Sequence, residues 1–365
     1  DVLLLFNPLQ IDFYGKGAAA LSIKEPAEIG KNHGVYRVDS EGNVGGFLHK
    51  KTVEQLQKLG ASDDQGNVDI DTGAVIFNSE MLQALYQLVD TKEKFAAYVN
   101  ESTRLSFYAD FLYPLASDST LEQYYKETPE GDFTPELEQC RTELWSVLHP
   151  YQMKLIRMSP AAFIHFGTTK ELRELMTERM DEFYYLGWTS NINTNREEAD
   201  FAASNSYVSP NAEIGKGSYL EDCMIRNKSQ IGEECVISGV TLDGQTIPAH
   251  TVLHGLKQQN GKFVVRMYGV SDNPKEALLF GKTLPMPLWE AAIYPVCDSM
   301  EEAVHQTLEA WREGFPIRED AISLKDSFNQ ADLSALLPWQ EKVSDKVELE
   351  EILEAEAAMP GLAAL

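Results

Sequence analysis

Several short stretches place chemically capable side chains at the ends of strand-like segments. In "FLHKKTVEQL", Lys50 falls between an apolar run and a helix-like run. Folds that alternate strands and helices bind ligands at that point, and a Lys there can hold phosphate oxygens as a point charge. The plainer reading is that Lys50 and Lys51 are solvated loop charges. In "NVDIDTGAVIF", Asp71 can accept from a sugar hydroxyl and Gly73 can let a ligand approach the backbone. The same residues would also make a strand-entry turn. "NHGVYRV" sets His33 and Gly34 before a strand, in either a structural or a ligand-facing role. "LSFYADFLYPL" holds Asp110 among aromatic residues. It is either an acid reaching toward a metal or base, or a solvent-facing residue on an amphipathic helix. In "FIHFGTTKEL" a strand delivers His165, Gly167 permits a tight turn, and Thr168 or Thr169 can cap the next helix. The free N–H groups of a helix start suit an anion. The rival reading is a core histidine at a strand-to-helix turn.

These residues need elements to carry them. "VLLLF" reads as a buried-type strand. "AALSIKEP" and "HGVYRVDSEGNVGGFLHK" read as strands, the latter around a turn at Glu41-Gly42-Asn43. "TVEQLQKLG" is a short helix closed by Gly60. "VDIDTGAVIF" is a strand, followed by a helix that Ser79 can cap. "PELEQCRTELWSVL" is a helix with Pro135 in its first turn. The alternation predicts an α/β sheet with helices on its faces.

From about Ser204 the texture changes. Apolar residues recur at Val208, Ile214, Leu220, then after a five-residue step at Ile225, Ile231 and Ile237, with Ile-Gly repeated at 214–215 and 231–232. This hexapeptide rhythm predicts a left-handed parallel β-helix; an antiparallel meander is the alternative. "SMEEAVHQTLEAWREG" is an amphipathic helix with Ser299 as N-cap and Glu302 at the capping-box position. The acidic tail reads as helical. The expected domains are residues 1–200, 204–298 and 299–365.

The chain has 365 residues, 43% of them hydrophobic, and a formal net charge of −26. That charge argues against nucleic acid as a partner but leaves room for a phosphorylated small molecule. The four cysteines lie far apart without metal-site spacing, which fits reduced cytoplasmic thiols. No stretch approaches the roughly 18 apolar residues of a membrane span.

The order of these stretches is more specific than any one of them. An Asp-led strand, "NHGVY", "FLHKKTVEQL", "DTGAVIF", "FYADFL", "FIHFGTTKEL", the hexapeptides and "RMYGVSDN" follow one another across most of residues 1–300. In this the chain resembles the fucose-1-phosphate guanylyltransferases, including the nucleotidyltransferase half of bifunctional fucokinase/GDP-fucose pyrophosphorylases. The resemblance implies a Rossmann-like sugar-nucleotidyltransferase domain followed by a left-handed β-helix and a helical tail. It implies GTP and a sugar 1-phosphate as substrates and Mg²⁺ as cofactor. By the same resemblance, Asp1 matches a Mg²⁺-binding, catalytic aspartate and Lys50 a catalytic lysine on the sugar-1-phosphate. Asp71 and Gly73 match a loop lining the sugar pocket, near His33 and Gly34. Asp110, His165, Gly167 and Thr168 fall in regions that close the site. A fused sugar kinase domain and a homo-oligomer are further expectations.

The sequence departs from the wider superfamily at three points. The Gly-rich triphosphate loop with its Arg is expected before Asp1. His165-Phe166-Gly167 stands where many members have Asp-x-Gly. Lys51 stands where relatives tend to have Pro, which leaves that loop less rigid. Two rival functions stay open: a nucleotide-sugar-binding or regulatory module without catalysis, and a hexapeptide-repeat acyltransferase.

Overall fold

The computed structural model describes residues 2–9, 11, 17–100, 102–196 and 200–358, with side chains through Glu350. It divides into two compact units, Asp1–His165 and Phe166–Leu365.

The first unit is mixed α/β. Its main sheet has five strands: β2 (Gly17–Pro26), β3 (Gly34–Val38), β4 (Val44–His49), β5 (Asn67–Phe77) and β6 (Gln152–Arg157), in the order β4-β3-β5-β2-β6. β2 and β6 run parallel; the other neighbours run antiparallel. β1 (Val2–Phe6) and β7 (Ala161–His165) form a separate antiparallel pair in which Val2 opposes His165. β3 and β4 are the expected hairpin, and Gly42 at its tip takes the positive φ that the turn requires.

Strand alternation splits the core between the two sheet faces. Ala18, Ala20, Tyr36 and Phe47 join Met81, Leu112, Leu144 and Leu148 on one face. Leu21, Ile23, Val35, Val68 and Ile70 join Leu56 on the other. Two caps differ in detail from the sequence reading. Asn78, not Ser79, accepts the Met81 N–H at the start of Ser79–Tyr86, because the helix begins one residue earlier than a Ser79 cap would allow. Glu302 reaches the N–H of Asp298 rather than that of Ser299, so only the Ser299 half of that capping box forms.

The second unit is built on parallel strands. Ala202, Tyr219, Val236 and Val252 stack in register, at steps of 17, 17 and 16 residues. Three columns of apolar residues follow. Val208, Ile225 and Leu242 form one, and Ile214, Ile231 and Ile247 the second. Ala203, Leu220, Ile237 and Leu253 form the third. The five-residue step after Leu220 is what reduces three hexapeptides to a 17-residue turn. The Ile-Gly dipeptides sit where coils touch: a Cβ on Gly232 would lie 2.4 Å from the Ala249 nitrogen. Only glycine allows so close an approach.

The helix Thr169–Thr177, expected in the first domain, packs Leu172 and Met176 on an outer coil face of Ala202, Tyr219, Val236 and Val252. The helix Met300–Arg312 sends Ala303, Val304 and Leu308 into the coil core. The tail helix Leu336–Ala358 buries Val343 and Val347, and Trp339 donates its indole N–H to the carbonyl of Asp222 (2.8 Å). No helix among the described residues is long and apolar enough to cross a membrane.

Candidate active site

The site assembles on the first unit, around the "DTG" segment. β5 does not enter a turn there. Ser22 pairs with Asp71 but Ala20 pairs with Val75, so Thr72, Gly73 and Ala74 form a bulge inside a continuous strand. Gly73 takes a φ of 74°. Bulges re-aim side chains and are frequent beside active sites. This one is pinned by the Thr72 hydroxyl, which donates to the Leu21 carbonyl (2.7 Å), and by the Ser22 hydroxyl, which donates to the Ile70 carbonyl (2.8 Å).

Asp71 lies on the same face as Tyr36 and is 5% exposed. It accepts from the Tyr36 hydroxyl (2.7 Å) and from the Gly73 N–H (3.0 Å). Both bonds land on Oδ1, which among the described residues leaves Oδ2 available to a ligand. Burial raises the Asp71 pKa against the pull of those two bonds, and burial beside this carboxylate pushes the Tyr36 phenol well above its usual range.

Gly34 works differently from the expectation of a ligand-facing residue. A Cβ there would sit 2.7 Å from Phe47 Cζ and 3.1 Å from Asp71 Cβ. Its lack of a side chain lets Phe47 and Asp71 close together. Beside it, the N–H of Lys50 donates to the carbonyl of His33 (3.1 Å), and Lys50 itself takes φ 48°. A left-handed backbone is uncommon for a non-glycine residue and turns the chain sharply out of β4. His33 meets His165 edge to face, with ring centroids 4.9 Å apart, and Phe163 at 5.4 Å. His33, Lys50, Asp71, Gly73 and His165 therefore gather from four separate stretches.

Aromatic residues frame them. Phe47, His49 and Tyr108 lie nearly parallel, with centroids 5.9–6.4 Å apart and interplanar angles of 7–13°. Tyr108 is 38% exposed, and its hydroxyl is the nearest group (3.7 Å) to a Cβ placed on Gly73. Burial, then the neighbouring Lys50 charge, lowers the His49 pKa; burial raises that of Tyr108. Sequence reasoning passed over His49, Tyr108, Tyr36, Phe47 and Phe163. The alternation of β4, which puts Phe47 and His49 on one face, was the available signal.

Asp110 does not face solvent; it reaches a base, Arg141. It is 0% exposed, as is Arg141. Arg141 Nε donates to Asp110 Oδ1 (2.7 Å), and the Ser106 N–H donates to Oδ2 (2.6 Å). Arg141 Nη1 also donates to the carbonyls of Tyr124 and Glu127. Asp110 sits in the π-helical turn Phe107–Leu112, two residues along from Tyr108, and its carboxylate oxygens are taken by Arg141 of the helix Pro135–Leu148 and by Ser106 at the start of that turn. Asp110 thus fixes the segment that presents Tyr108.

Gly167 and Thr168 belong to the second unit. The Thr168 hydroxyl accepts the Glu171 N–H (3.1 Å), and the Glu171 carboxylate accepts the Thr168 N–H (3.1 Å). This capping box takes up N–H groups that an anion would otherwise need. Asp1 lies outside the described residues. Among those described, no group of three or more His, Cys, Asp or Glu side chains gathers to hold a metal.

The model of the fucose pyrophosphorylase domain matches residues 1–299. The human fucose-1-phosphate guanylyltransferase is 22% identical over 422 aligned residues, covering 94% of this chain and 68% of that protein. The mouse fucose-1-phosphate guanylyltransferase is 22% identical over 402, covering 91% and 68%. With the family's domain spanning the strands, the bulged "DTG" and the parallel coil alike, the chain belongs to the fucose pyrophosphorylase family.

Proposed function

We propose that this protein transfers a guanylyl group from GTP to fucose 1-phosphate, giving GDP-fucose and pyrophosphate. The observation that carries the reading is the convergence of Lys50, His33, His165 and Asp71 beside an aromatic stack. In the reaction, a phosphate oxygen of the sugar 1-phosphate attacks the α-phosphorus of GTP. The bond from that phosphorus to the α,β-bridging oxygen breaks, and its electron pair leaves with pyrophosphate. Lys50 lowers repulsion between the approaching phosphates as a fixed positive charge. Asp71 Oδ2 accepts from a sugar hydroxyl, oriented by the bonds that hold Oδ1. Positioning and charge stabilisation supply most of the rate in phosphoryl chemistry.

Mg²⁺ belongs to the proposal through Asp1. The described part of the cluster brings one carboxylate, Asp71, so each role above rests on the chain's own groups. The nucleotidyltransferase core is read as Rossmann-like and the parallel coil as a left-handed β-helix. Four buried free thiols fit a reducing, cytoplasmic setting.

The test is pyrophosphate release from GTP, fucose 1-phosphate and Mg²⁺ by the full protein, with mannose 1-phosphate and ATP as alternative substrates. Release with the GTP and fucose 1-phosphate pair above the others supports the assignment. GDP-fucose binding without release under any pairing overturns catalysis in favour of a binding module. Acetyl-CoA turnover would overturn it in favour of acyl transfer.

A further inference from the structure

The second unit contains a cavity of about 360 Å³ between the parallel coil and the segment 331–342. Pockets of roughly 300 Å³ and upward are of small-molecule size. His254, Met300 and Trp339 contribute to its wall. The covering segment is fastened at both ends. The N–H of Asp332 donates to the Lys257 carbonyl (2.9 Å), and Trp339 and Gln340 donate to Asp222 (2.8 and 2.9 Å).

His254 opposes Arg266 across an antiparallel pair. Its Nδ1 faces Arg266 Nη2 within hydrogen-bonding reach. A guanidinium can only donate, so Nδ1 must accept. The ring proton then sits on Nε2, and His254 presents a fixed donor. Burial and the adjacent Arg266 charge push the His254 pKa down to about 3, which keeps the ring neutral.

Charge bookkeeping around the cavity points the same way. Two lysines on the wall, Lys257 and Lys342, offset two aspartates, Asp222 and Asp332. Both Asp222 oxygens are already taken, by Asn205 and Gln340. Arg266 makes no ion pair among the described residues, and its Nε is shut off from solvent without a hydrogen-bond partner. An enclosed cation without a counter-charge is costly. Its charge beside Nδ1 makes the Nε2–H of His254, a residue of the cavity wall, a stronger donor.

We propose that this cavity binds a small oxyanion, a phosphate ester or a carboxylate carried on a compact apolar body, with His254 Nε2–H as its donor and Trp339 and Met300 around its body. The site is separate from the Lys50 cluster and does not depend on the transferase reading.

Calorimetric titration of the full protein with phenyl phosphate, benzoate and benzyl alcohol tests it. The two anions should bind and the neutral alcohol should not; phenyl phosphate against benzoate distinguishes a phosphate from a carboxylate site. His254→Phe should weaken anion binding roughly ten- to hundred-fold, the range of a hydrogen bond to a charged group. Lys50→Gln should leave it unchanged, which separates this cavity from the transferase cluster. Nitrogen-15 NMR of the unmutated protein supplies a readout that needs no variant. The Nε2–H tautomer of His254 should be present, and its signals should move on adding the anion. Equal binding of benzyl alcohol, no binding of either anion at millimolar concentration, or unmoved His254 signals would each overturn the proposal.

Discussion

Replacing Tyr36 by Phe removes a single hydroxyl from beneath the cluster. The ring is fully buried and packs on Phe47 with centroids 5.4 Å apart, so Phe fills the same space. What is lost is the 2.7 Å bond to Asp71 Oδ1. A hydrogen bond to an ionised group contributes about 1.5–3 kcal/mol, against about 1 kcal/mol between neutral partners. Asp71 already has its pKa raised by burial, and the Tyr36 bond holds it down. Without that bond it should climb further above the ordinary carboxylate range. A carboxyl whose folded pKa exceeds its unfolded value favours folding when protonated. That contribution is full below the unfolded pKa and is lost as pH rises through the folded one. The Tyr36→Phe deficit should therefore be about 1.5–3 kcal/mol at neutral pH and shrink to about 1 kcal/mol in mild acid. Urea unfolding of both proteins at the two pH values measures it. The acid limb of pyrophosphate release should move to higher pH in the variant. A deficit equal at both pH values, or none at neutral pH, would refute the account of Asp71 as a buried charge held by Tyr36.

Lys50→Gln should lower pyrophosphate release by about 10²-fold or more with an unchanged urea midpoint, the loss seen when one charge-stabilising donor is removed; a less than tenfold effect would remove Lys50 from the chemistry. Asp110→Asn leaves Arg141 buried without its counter-charge and should destabilise the first unit by about 3–5 kcal/mol, read by thermal circular dichroism. Gly232→Ala drives a methyl to 2.4 Å from the Ala249 nitrogen and should cost about 1–3 kcal/mol by overpacking, with loss measured in the unfolding of the coil. Unchanged stability in either variant would count against the corresponding packing.

The hexapeptide rhythm translated directly into columns because each apolar residue meets its own kind one coil away, as Ile214, Ile231 and Ile247 do. The hairpin at Glu41–Asn43 and the Thr168 cap were equally local and equally visible. The bulge at "DTG" was not, since it depends on how β2 pairs with β5 rather than on β5 alone. Asp110 shows the same limit in its chemistry. An acid amid aromatics looks functional until its partner, Arg141, is brought from 31 residues away by a separate helix. His49 and Tyr108 were hidden for the converse reason: each stood next to a residue that drew more notice, and only their stacking gives them a role.

The 17-residue coil has a bearing on how this protein can change length. The columns repeat at intervals of 17 residues, or 16 in the last turn, so removing or adding one whole turn preserves all three apolar faces, whereas a change of several residues within a turn rotates every later side chain off its column. Variation in the coil is thus quantised. The bulged strand and its neighbours carry no such unit, and a single inserted residue there re-aims Asp71. One part of the chain can vary in whole steps while the other is held to the residue.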